Sequence, residues 1–123
     1  MAGMDVDPKY LFYINQFSNF AAKHIGINTP IHIVLVDKSY DQLSSTGMYF
    51  INEYKMKILY EGRSLVDILR SIAHELQHQK QNEEDEIPAN PQNIGGHLEN
   101  EANIMCGILI KLFIDERKFL YKL

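Results

Sequence analysis

Apolar and polar positions along this chain follow two rhythms, one of three to four residues and one of two. Leu11, Ile14, Phe17 and Ala21 recur at the spacing that gathers side chains on one face of a helix. Asp7 and Pro8 stand just ahead of them, an N-capping carboxylate followed by a proline suited to the first helical position. That helix is expected to end near Gly26, with Asn28-Thr29-Pro30 as a turn. Ile31 to Val36 is a short apolar, β-branched run, expected as a buried strand. Asp37 to Ser45 is polar and reads as loop.

From Thr46 to Glu61 the two-residue rhythm fits a hairpin. Gly47 to Ile51 forms one arm and Asn52-Glu53 the turn. In the second arm Tyr54, Met56, Ile58 and Tyr60 alternate with Lys55, Lys57 and Leu59. Ser64 and Asp67 then have the form of a capping box, with aspartate in place of the usual glutamate. Leu65, Ile68, Leu69, Ile72 and Leu76 mark a helix running to about Lys80. Asn82 to Gly96 lacks periodicity and reads as a proline-bearing loop. A last helix, roughly His97 to Tyr121, carries Leu98, Ala102, Met105, Leu109, Leu112 and Phe113 on one side. Together these elements predict an α+β domain, three main helices packed on a short, mostly antiparallel sheet.

Composition narrows the functional classes. A chain of 123 residues supports one core, and 46% hydrophobic with 23% charged residues is an ordinary globular balance. A formal charge of -4 leaves no electrostatic footprint for nucleic acid or an acidic membrane surface. The one dense charge run, Glu83 to Glu86, is acidic; bordering a cleft, it would favour basic substrates. The apolar tract from Ile104 to Ile114 is interrupted by Lys111 and is far short of a membrane span. Cys106 is the single cysteine, so no internal disulfide can form, and Met1 to Pro8 lacks the features of a signal peptide. A cytoplasmic protein is expected; the oligomeric state cannot be read from the sequence.

Chemistry enters with His74-Glu75-Leu76-Gln77-His78. The two histidines lie four apart on one helix face, so both imidazoles can reach one Zn²⁺ at about 2.1 Å. Glu75 follows His74 directly, placed to act as a general base towards an activated water. From the chain's own composition, 5 His and 9 Glu, the pattern is expected by chance on the order of 0.01 times. The bland alternative is a pair of surface histidines with a solvated glutamate between them.

Catalytic zinc takes three protein ligands and keeps one position open. His97, Glu99 and Glu101 compete for the third place, and periodicity does not choose between the two glutamates. Glu99 has a local advantage: Asn103 lies four residues on, able to orient one of the histidines. His24 and His32 read as structural.

With these two segments in view, the chain resembles the gluzincins, zinc peptidases with a His-Glu-x-x-His helix and a glutamate ligand from a later helix. Glu99-Asn100-Glu101-Ala102-Asn103 is similar to the Glu-x-x-Ala-Asp/Asn element of their second helix. The small size is similar to the minigluzincins, and the Glu-x-x-Ala-Asn form to the ImmA/IrrE-type intracellular peptidases. The resemblance implies a single zincin-like metallopeptidase domain over residues 1–123 with one zinc per chain. His74, His78 and Glu99 would be the ligands, Glu75 the general base and Asn103 the orienting group. A peptide or protein substrate would lie along the hairpin edge, cleaved as by an endopeptidase. An oxyanion-stabilising group would have to come from residues such as His97, Tyr49 or Tyr121. The alternative is a non-catalytic zinc-binding module serving regulation or interaction.

Overall fold

The computed structural model of the chain describes residues 6–40, 45–87 and 96–123. Helix α1 spans Pro8–Ile25. Asp7 caps it by accepting a hydrogen bond from the Lys9 amide at 2.8 Å. Gly26 ends it in the left-handed region at φ 85°, where a β-carbon would be strained, while its N–H donates to the Ala22 carbonyl. The buried residues Ile14, Phe17, Ser18 and Ala21 trace the predicted face.

Three strands follow: β1 at His32–Val36, β2 at Gly47–Phe50 and β3 at Lys55–Leu59. β2 and β3 form the expected hairpin, with Gly47 opposite Ile58 and Phe50 opposite Lys55. Its turn is wider than the two residues expected, because Tyr54 leaves the strand for a positive φ of 48°. The sheet order is β1-β3-β2, and β1 runs parallel to β3. The sheet is therefore mixed, with one parallel and one antiparallel pair, and not mostly antiparallel. β3 takes the centre because its inward pair, Met56 and Ile58, is fully buried, whereas every β2 residue keeps some exposure. Both β1 and β2 are left as edges.

Helix α2 spans Leu65–Glu83 and α3 spans Gly96–Asp115, followed by a short 3-10 helix at Lys118–Lys122. Ser64 caps α2 through its hydroxyl, which accepts from the Asp67 amide at 3.2 Å. The last helix thus stops at Asp115, six residues short of the Tyr121 expected, and the chain tightens into the 3-10 segment. The expected apolar side of α3 holds for Leu98, Ala102, Leu109 and Phe113, but Leu112 is 46% exposed.

α2 is the centre of the molecule. It packs against α1, α3, β2 and β3, and its buried positions run round the whole cylinder. In its first half they are apolar apart from Ser71: Leu65, Val66, Ile68, Leu69, Ile72 and Ala73. In its second half they are polar apart from Leu76: Glu75, Gln77, His78, Gln79 and Gln81. Phe17 of α1 meets Phe113 of α3 edge-on at 5.1 Å, and Leu35, Met56 and Ile58 close the core from the sheet. No described helix is long and apolar enough to cross a membrane.

Candidate metal centre

Burying polar side chains along α2 requires partners for them, and those partners build the site. Gln79 donates to the Thr29 hydroxyl at 2.8 Å and the Pro30 carbonyl at 3.1 Å. Glu83 accepts from the backbone amides of Asn28 and Thr29, at 3.0 Å and 2.8 Å, and from the Thr29 hydroxyl. These bonds hold its carboxyl below the ordinary glutamate range, despite the opposing effect of burial. Asn82 donates to the Ile51 carbonyl at 2.9 Å and the Tyr49 hydroxyl at 3.2 Å. The C-terminal half of α2 is thus clamped to the turn after α1 and to the hairpin end. The acidic run is spent on this work: Glu83 caps a turn and Glu84 pairs with Lys80 at 3.3 Å. It does not line the cleft described below.

His74 and His78 project from one face of α2 towards α3. Their Nε2 atoms are 3.2 Å apart. Glu99, in the first turn of α3, brings one carboxylate oxygen to 2.7 Å from His78 Nε2 and the other to 3.4 Å from His74 Nε2. Of the three residues competing for the third place, Glu99 is the one beside both imidazoles. Glu101 points elsewhere, accepting from Gln77 at 2.7 Å and Gln81 at 3.0 Å. His97 is exposed at the start of α3 and lies outside the cluster.

The donor set fits a metal ion. Ligand atoms about 2.0–2.1 Å from a tetrahedral zinc lie roughly 3.3 Å from one another. The contacts of 2.7 and 3.4 Å are made by the two different oxygens of Glu99; with one donor atom per residue, the three atoms lie within 4.8 Å of one another, close enough to converge on one ion. Two imidazoles and a carboxylate are also the mixed N/O set that zinc accepts, although other divalent ions can use it. The surroundings aim the donors. Gln81 Oε1 lies 2.8 Å from His78 Nδ1, placed to accept its N–H, which with an ion bound would leave the Nε2 lone pair for the metal. Gln81 is in turn held by the Leu98 carbonyl at 3.0 Å and by Glu101. His74 hydrogen-bonds the Asn103 side chain. Burial, then the charge of His78, holds the His74 imidazole below its ordinary pKa, which favours the neutral, metal-ligating form.

Glu75 is 7% exposed and lies against the first residue of β2. A β-carbon on Gly47 would come within 3.3 Å of Glu75 Oε2 and 3.0 Å of Ile58 Cδ1, so any larger residue would crowd these two side chains unless they shift. Burial, with Glu99's charge second, pushes the Glu75 carboxyl up to about 8. A cleft of about 420 Å³ opens between the start of β2, α2 and α3. Thr46, Gly47, Ser71, His74, Glu75, Glu99 and Asn103 face it, together with Arg63 and Arg70.

Tyr49 and Tyr121 do not reach this cleft. Tyr49 is engaged with Asn82, and Tyr121 is 56% exposed on the terminal 3-10 helix. His24 stacks on Phe20 at 6.1 Å and His32 is exposed at the start of β1, both away from the cluster. Sequence reasoning overlooked Gln81, Gly47 and the two arginines. Arg70 and Ser71 precede His74 and Glu75 by one helical turn, and Gln81 follows His78 by three residues, so helical periodicity carried a signal for Arg70 and Gln81 but not for Gly47 or Arg63, which lie outside α2.

Comparison of the chain with known protein families, with curated proteins and with solved structures finds no match.

Proposed function

We propose that this protein is a zinc-dependent peptidase of the gluzincin type, acting on peptides or proteins. The observation that carries the reading is the convergence of His74, His78 and Glu99 within 4.8 Å, in register with a buried glutamate on the same cleft. His74, His78 and Glu99 would hold the ion. Bound there, zinc would polarise a peptide carbonyl and acidify a water molecule. Glu75 takes the proton released as the water attacks and delivers it to the departing amine, so that water and the peptide bond become a carboxylic acid and an amine. Gln81 and Asn103 keep the two imidazoles oriented through the cycle. Among the described residues no strand pairs with the outer edge of β2, whose first residue abuts Glu75, so an extended peptide would add there as a further strand.

A second reading, a non-catalytic metal module, draws on one feature. The cluster ties α2 to α3, and His78 is only 3% exposed, so a bound ion would also brace the fold. Two measurements separate these readings. Elemental mass spectrometry should find about one zinc per chain in wild type and little in His78→Ala purified alike. A peptide library should then be cleaved by wild type, with activity lost in Glu75→Gln while zinc stays bound. A wild-type protein that takes up no zinc after reconstitution would sink both readings. Zinc without any cleavage would leave the second.

A further inference from the structure

The cleft carries positive groups that the proposed hydrolysis does not use. Arg70 precedes His74 by four residues, so Arg70, His74 and His78 form one row along α2. Arg63, just ahead of that helix, reaches the same cleft. Its guanidinium donates to the carbonyls of Leu59 and Asp67, at 2.8 and 2.7 Å, and to the Ser71 hydroxyl at 2.8 Å. Among the described residues it forms no ion pair. Arg70 pairs with Asp67 at 3.1 Å, but both side chains are half exposed. Such a pair is worth at most about 1 kcal/mol and exchanges readily for another carboxylate. At this end of the cleft, two guanidinium groups therefore face one carboxylate, Asp67. Glu99 is committed to the metal cluster and Glu75 to proton transfer. The bias is local, since the whole chain carries a formal charge of -4.

We propose that the Arg63–Arg70 end of the cleft is a subsite for a substrate carboxylate. The inference rests on the peptidase reading and names its substrate class: peptides with an acidic side chain or a free C-terminus close to the scissile bond. The distance is set by the helix. One turn of α2 separates Arg70 from His74, a rise of about 5.4 Å. An extended peptide advances about 3.3–3.6 Å per residue. The carboxylate thus lies one or two residues from the bond cleaved. Arg70 suits this task, because a guanidinium's planar donors can bind a carboxylate with two parallel hydrogen bonds once its exposed contact with Asp67 is exchanged. Arg63, with both Nη2 hydrogens held by Asp67 and Ser71, adds positive charge beside it. The hydroxyls of Ser71 and Thr46, 3.2 Å apart on the same wall, add polar contacts of either sense.

The test measures binding rather than turnover. Zinc-loaded Glu75→Gln protein is titrated by fluorescence anisotropy against fluorescein-labelled pentapeptides in three matched forms. One has a C-terminal amide and only neutral side chains, one a free C-terminus, and one a C-terminal amide with a single Gln replaced by Glu. A carboxylate-bearing form should bind about tenfold more tightly than the neutral amide, equivalent to roughly 1.4 kcal/mol. Introducing Arg70→Gln should bring the forms within about twofold, and Arg70→Glu should reverse their order. An advantage confined to the free C-terminus assigns the subsite to a terminal carboxylate. One confined to the Glu peptide assigns it to an acidic side chain. Equal affinities, an advantage that survives Arg70→Gln, or no binding of any form at about 1 mM would overturn the proposal. Failure of wild type to cleave a peptide library bears on the peptidase reading alone.

Discussion

Glu75 makes the metal-free protein a sensitive gauge of how the site is built. Its carboxyl is pushed from an ordinary 4.5 up to about 8, chiefly by burial. Between those values the folded chain holds a proton that the unfolded chain has released, so stability must fall as pH rises. At 1.36 kcal/mol per pH unit, the whole interval amounts to roughly 4–5 kcal/mol, a large share of a small domain's stability. His74 acts in the opposite sense. Its pKa is held below the ordinary 6.5, so its contribution is present above that value and lost as pH falls through it. From pH 6.5 to 8 Glu75 therefore dominates, with an expected loss of about 1–2 kcal/mol. Urea denaturation of chelator-treated wild type and Glu75→Gln across that range provides the assay. Wild type should lose stability along the calculated slope, whereas Glu75→Gln should stay level and exceed wild type at pH 8. Saturating zinc should flatten the wild-type curve, because a divalent cation beside the carboxyl favours its ionised form. Parallel profiles for the two metal-free proteins would refute the reasoning, since the buried carboxyl would then not be the group that titrates.

Two further outcomes follow from the support around the cluster. Replacing Gln81 by Leu leaves His78 Nδ1 without its acceptor and should weaken zinc binding by about 10–100-fold in competition with a chromophoric chelator, and unchanged affinity would show that Gln81 does not orient the ligand. Gly47→Val drives a branched side chain into Ile58 and Glu75 and should cost about 1–3 kcal/mol by urea denaturation, whereas full stability would mean that β2 can retreat from α2.

Much of the scaffold was legible because its signals are local. Asp7-Pro8 and Gly26 bracket α1 by side-chain and backbone preferences that act within one turn of chain. The alternation from Tyr54 to Tyr60 marked the buried face of β3 through Met56 and Ile58. The parallel pairing of β1 with β3 was not legible, because apolar strands carry no mark of which neighbour they join. The burial of the polar second half of α2 was not legible either: Gln77, Gln79 and Gln81 are each buried against a partner supplied by another segment or by the start of α3.

For the candidate site, the sequence by itself determined the pair His74 and His78 and the glutamate between them, since four-residue spacing on a helix obliges both imidazoles to share one face. Only the tertiary structure decided the third donor. Glu99 and Glu101 are two residues apart on α3 and so point about 200° apart around it. The packing of α3 on α2 turned Glu99 towards the imidazoles and Glu101 towards Gln77 and Gln81. Arg63 and Arg70 line the same cleft, and the acidic run lies outside it. A helical face is written in local spacing; what that face meets depends on contacts between segments far apart in the chain, and those are fixed only when the core closes.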